Sequence, residues 1–120
     1  MGYHETVTEF ASPVEAGRQI AQLQHILGLV EQIAGRPPRG RAGSARDEDR
    51  ICSAYERASP IVQRRFDALS METAAWAAAG VQALLVAKAT LGPPRAAAAG
   101  LADELGIALR KLSRMVESED

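Results

Sequence analysis

The feature that most constrains this chain is a long apolar segment with helix signals at both ends. Ser59-Pro60 is a favourable helix start, and Gly92-Pro93-Pro94 is a strong stop. Between them, residues recur at alternating spacings of four and three, which is the period of one helix face. These positions are Val62, Phe66, Leu69, Thr73, Trp76, Gly80, Ala83 and Ala87. The pattern predicts one long helix to Leu91, with a break near Ser70 as the alternative.

Alanine dominates the second half of this segment, which is apolar almost all round from Thr73 to Leu91. Alanine is the best helix former, and aromatic residues suited to strands make up only 4% of the chain. A helix that is apolar on all sides is expected at the buried centre of a bundle. A membrane span is the alternative, but Gln82 and Lys88 interrupt it and alanine adds little hydrophobicity. We expect no membrane association.

Three further segments carry the same helical period. The first, 13–34, follows a candidate cap at Ser12 and ends before Gly35, a favourable residue for a helix C-terminus. A shorter helix begins at the candidate cap Ser44, and the last helix covers about 95–117. The predicted fold class is therefore all-α: an antiparallel bundle of about four helices, the second one short, with the alanine-rich helix central.

The length of 120 residues is sufficient for one domain, which we place at 12–117. Residues 1–11 are expected to form a loose arm, and 118–120 an acidic tail. The segment 35–44 is rich in glycine and proline, so a loop is expected there. Because no signal-peptide pattern precedes the first helix, a cytoplasmic protein is expected.

The segment 35–44 and the residues just after it carry a cluster of arginines that predicts a partner. The arginines are Arg36, Arg39, Arg41 and Arg46. Guanidinium groups pair well with carboxylates, so a protein partner with an acidic surface is one interpretation, and a solvated connection is the other. The apolar stripes at 16–34 and 98–116 are wider than one neighbour covers, which favours a homodimer. The leading hypothesis is a small adaptor, inhibitor or regulatory subunit.

The sequence contains no set of residues that is typical of a catalytic or cofactor-binding site. One cysteine and two distant histidines do not supply a standard zinc ligand set, and the phosphate-cradle motif is missing from the glycine-rich loop. We therefore expect no metal, no cofactor and no enzymatic activity. A third hypothesis uses His25, either with Arg18 in a helical nuclease or alone in a phosphotransfer module.

A DNA-associated regulator is the alternative to the interaction hypothesis. Residues 45–69 have the layout of a helix-turn-helix whose second helix would present Arg64 and Arg65 beside Gln63 and Asp67. The formal net charge of −1 does not favour general nucleic-acid coating. Nucleic acid is therefore a less favoured partner than a protein.

Overall fold

A computed structural model of the protein describes residues 13–36 and 44–117, with the backbone alone for 44–47. Four helices make up nearly all of this part of the chain. They are α1 (Pro13–Ala34), α2 (Ser44–Arg57), α3 (Pro60–Leu91) and α4 (Arg95–Glu117). The predicted all-α bundle is thereby confirmed. The arm at 1–11, the cap at Ser12 and the tail at 118–120 lie outside the described residues.

The ends of the long helix α3 follow from its capping residues. The Ser59 hydroxyl accepts a hydrogen bond of 3.3 Å from the backbone N–H of Val62, as expected for an N-cap. Gly92 adopts a φ of 92°, which favours glycine, and its N–H donates to the carbonyl oxygen of Lys88. The helix continues through Ser70, so the alternative of a break at that residue is wrong.

The best-packed part of the bundle joins α1 to α4 and α2. Ile20 and Leu23 of α1, and Leu105 of α4, are at most 1% exposed. A Cβ atom added to Gly17 would lie only 2.8 Å from the backbone carbonyl oxygen of Glu48, so α1 and α2 approach each other closely. The apolar stripes of the first and last helices are thus covered within the chain by their neighbours in the bundle.

A buried tyrosine joins α2 to the start of α3. The Tyr55 ring meets Phe66 edge-on, with 5.5 Å between the ring centroids, and its hydroxyl donates to the Asp67 carboxylate at 3.1 Å. Gln63 donates from Nε2 to the Tyr55 carbonyl oxygen over 2.8 Å. Burial, followed by the nearby negative charge and hydrogen bond of Asp67, raises the pKa of the Tyr55 phenol above its ordinary value.

The alanine-rich half of α3 is not the buried centre that its composition predicted. Only 11% of the residues in the most apolar 18-residue window of this helix are buried. Thr73, Ala77 and Leu84 face the rest of the bundle, while the opposite side of the helix is exposed. The molecule measures 52 × 33 × 19 Å, so it is about two helix diameters thick. A helix in such a thin assembly keeps one side uncovered.

Candidate interaction surface

The uncovered side of α3 carries a continuous line of exposed residues, which we call the α3 seam. It consists of Met71, Ala75, Ala78, Gln82, Leu85 and Ala89, and all six are exposed. Their spacing alternates between four and three, so they form one stripe along the helix. Met71 is 67% exposed and Leu85 is 48% exposed, and Val86 beside the seam is 63% exposed. Five of the six seam residues are apolar.

Such a stripe differs from the single apolar residues that are normal on a protein surface. A contiguous exposed apolar patch marks a place where a protein binds a partner or a membrane. By length and composition, α3 is also the one helix in the described part of the chain that could cross a bilayer. The stripe predicted from the sequence matches the packed side of α3 only in part, because it includes Phe66 and Thr73, which are buried, and Ala83, which is exposed. The seam is a second stripe with the same four-three spacing, offset around the helix. This spacing is the feature of the sequence that could have indicated the seam.

The arginines expected to bind a partner are placed very differently from one another. Arg36 contacts α4, with 3.1 Å between its Nη2 and the Asp103 carboxylate and 3.5 Å to the carbonyl oxygen of Ala99. This contact joins the end of α1 to α4. Arg39 and Arg41 lie outside the described residues, and Arg46 lies in the first turn of α2, where the backbone alone is described. Within the described part, these arginines are not brought together into one site.

The residues of the DNA-binding alternative divide into two pairs. Arg64 and Arg65 are exposed on the first turns of α3. Gln63 and Asp67 instead make hydrogen bonds to Tyr55, and these hydrogen bonds join α3 to α2. The second helix of the expected helix-turn-helix thus presents two of its four proposed recognition residues to solvent.

The residues considered for catalysis do not form a recognisable site. Arg18 and His25 are both exposed on α1, seven positions apart, which is about 10 Å along a helix axis. Cys52 on α2 is partly buried near Gly17. Among the described residues, no group of three histidine, cysteine or carboxylate side chains is arranged to hold a metal ion.

A shallow groove of about 450 Å³ lies where α1, α2 and α4 meet, and the sequence alone did not reveal it. Arg50, Arg110 and Arg114 give it a basic lining. The Glu117 carboxylate lies 2.5 Å from Nε of Arg50 and offsets part of that positive charge. Three separate helices contribute to the groove, so no local motif could have predicted it.

Comparisons of the chain with protein-family models, curated proteins and solved structures find no match. The fold therefore defines the class of the protein by itself, an all-α helical bundle. Within this bundle, the α3 seam leaves apolar side chains in water along one side of a helix. It is the candidate functional surface.

Proposed function

We propose that this protein is a small non-enzymatic interaction module that binds a protein partner through the α3 seam. The observation that carries the proposal is the exposure of Met71, Leu85 and Val86 along one side of a helix whose other side is packed. Transfer of apolar surface out of water is favourable by about 25 cal/mol per Å². Covering this side of α3 would remove Met71, Leu85 and Val86 from water and would therefore be favourable.

The shape of the seam favours a helix as the element that covers it. The alanines at 75, 78 and 89 lack long side chains, so a partner backbone can approach α3 closely. The seam is a ridge rather than a cavity, and the grooves found in the described part of the chain are shallow and lie along α4. An apolar helix face suits a ridge of this kind better than a small molecule does.

The arginines of 36–46 supply a second element of the proposal. Arg39, Arg41 and Arg46 would add charge to the docking of an acidic partner surface, since the segment 35–44 carries positive charges alone. Charges at the rim of an interface mainly raise the association rate and its dependence on salt. The apolar seam would supply most of the affinity.

A tagged capture from the native cell tests the proposal, with half of the sample treated with nuclease. We expect a roughly stoichiometric protein, a second copy of this chain included, to survive nuclease and to be lost with the double variant Leu85→Glu/Val86→Glu. The control is Leu29→Glu, because Leu29 is an exposed leucine on α1 at 42% exposure. It should leave the capture unchanged.

Two results would count against the proposal. Capture that persists in the seam variant would place the interface elsewhere. Capture that disappears with nuclease, and with Arg64→Ala/Arg65→Ala, would favour the DNA-associated alternative. Circular dichroism on each variant checks that the helices are retained, so that a loss of binding reports on the surface and not on folding.

A further inference from the structure

We infer that the partner of the α3 seam is a second copy of this chain, whose α3 lies antiparallel so that the two-fold axis passes between the two helices at the level of Gly80. This inference rests on the proposed function and specifies the partner. It follows from how large and small side chains are distributed along the seam. The six seam residues are arranged symmetrically about Gly80, three on each side.

In an antiparallel pair, residues equally distant from the axis on opposite sides face each other. Met71 then lies opposite Ala89 of the second copy, and Ala75 lies opposite Leu85 of the second copy. Each large exposed side chain therefore meets an alanine. Alternation of large and small residues across facing positions is what allows two helices to interdigitate.

The polar residue of the seam also suits this arrangement. Gln82 lies opposite Ala78 in the first layer beside the axis, so the two copies of Gln82 are about 6 Å apart along the helix direction. An amide is both a donor and an acceptor, so two identical glutamines can bond to each other across a two-fold axis. A lysine or glutamate there would face its own charge.

Other pairings of the seam fit less well. A parallel pair sets Met71 against Met71 and Ala75 against Ala75, which alternates crowded layers with empty ones. A shift of one heptad towards the C-terminus leaves Met71 without a partner on α3. A shift of one heptad towards the N-terminus sets Met71 against Gln82 and Ala75 against Ala78, which gives a crowded layer beside an empty one. Insertion into a bilayer is disfavoured, because half of the seam residues are alanine and the other side of α3 is packed against the rest of the bundle.

Analytical ultracentrifugation over a concentration series tests for the second copy. A single helix pair gives an interface near the lower end for specific association, so we expect a dissociation constant on the order of micromolar. Leu85→Glu should raise it about a hundredfold or more, because two charges would be buried beside Ala75. Ile61→Glu is the control, since Ile61 is 61% exposed on α3 but lies outside the seam.

A size-swap cycle tests the pairing of Ala75 with Leu85 itself. Ala75→Leu and Leu85→Ala should each weaken the dimer, the first through overpacking and the second through a void. The double variant restores one large and one small residue in every such layer, so its dissociation constant should return to within about tenfold of wild type. Additive losses in the double variant would overturn this register.

Cross-linking determines the orientation, using Met71→Cys and Ala89→Cys chains with different tags, each carrying Cys52→Ser. In the antiparallel pair, a short bismaleimide should link the two different chains to each other. Two copies of the same variant would be about 27 Å apart and should stay unlinked. Links only between identical chains would show a parallel pair and overturn the inference.

Failure of this inference can be told apart from failure of the proposed function. A chain that stays monomeric at high concentration, yet loses a different captured protein on Leu85→Glu/Val86→Glu, overturns the second copy and leaves the interaction module standing. A monomer that floats with phosphatidylcholine vesicles and captures no protein overturns both. A dimer that is insensitive to Leu85→Glu also overturns the inference, because its interface lies elsewhere.

Discussion

The interface between α1 and α4 and the outer side of α3 have residues at the same spacing. The first region is buried, whereas the second is exposed. Leucine, isoleucine and valine at the inner positions of α1 and α4 bring enough surface to exclude water, and Leu23 and Leu105 are fully buried. Three of the six residues of the α3 seam are alanine, and the seam stays exposed. The difference shows that periodicity fixes the secondary structure, whereas side-chain volume decides which stripe the chain covers by itself.

The largest expected difference in stability is between two leucine-to-alanine substitutions, one in α4 and one in the α3 seam. Leu105→Ala should reduce the free energy of unfolding by about 2–5 kcal/mol, because it leaves a cavity in a fully packed layer. Leu85→Ala should reduce the free energy of unfolding by about 1 kcal/mol or less, when the protein concentration is well below the dissociation constant of the dimer. Urea unfolding of the two variants checks the contrast, and equal losses would mean that α3 is as tightly packed as α4.

Two glycines of α1 give the next largest contrast. Gly17→Ala puts a Cβ 2.8 Å from the Glu48 carbonyl oxygen, a backbone atom that has little room to move. We expect a loss of about 1–3 kcal/mol from this overpacking. Gly28 has no heavy atom within 4 Å of its added Cβ, so Gly28→Ala should stabilise the helix by about 0.5–1 kcal/mol. Thermal unfolding midpoints that shift in the same direction would contradict the close crossing of α1 and α2.

The joint between α2 and α3 should respond to Tyr55→Phe with a loss of about 1 kcal/mol at neutral pH, because the hydrogen bond to Asp67 is removed. The raised pKa of the Tyr55 phenol keeps it protonated in the folded chain while the unfolded chain ionises near pH 10. Stability should therefore fall as pH rises above 10, by about 1.4 kcal/mol per unit. The phenylalanine variant lacks this slope, so by pH 11 it should match wild type in urea unfolding. A constant difference between pH 8 and pH 11 would contradict the burial of the phenol.

The smallest expected effect is at the contact between Arg36 and Asp103. Their side chains are 33% and 66% exposed, so water screens the pair strongly. Arg36→Gln should lower the free energy of unfolding by less than about 1 kcal/mol, and most of that difference should vanish in 1 M salt. A large, salt-independent loss would indicate that Arg36 contributes through packing on α4 rather than through charge.

The sequence was sufficient to predict the helices and insufficient to predict which side of α3 is exposed. Proline and glycine act locally, so the boundaries at Pro60 and Gly92 could be predicted from neighbouring residues alone. The exposed side of α3 depends on which helices pack against it, and an alanine-rich helix offers no local preference among its sides. The basic groove around Arg50 and Arg114 depends likewise on three helices meeting.

The 19 Å thickness of the molecule has a thermodynamic consequence. A slab two helices deep uncovers less apolar surface on unfolding than a rounder protein of the same length. The heat-capacity change should therefore fall below the usual figure of about 12–15 cal/mol/K per residue. With a small heat-capacity change, the stability curve is broad and shallow, so the folded chain should change little in stability between a cold and a warm environment.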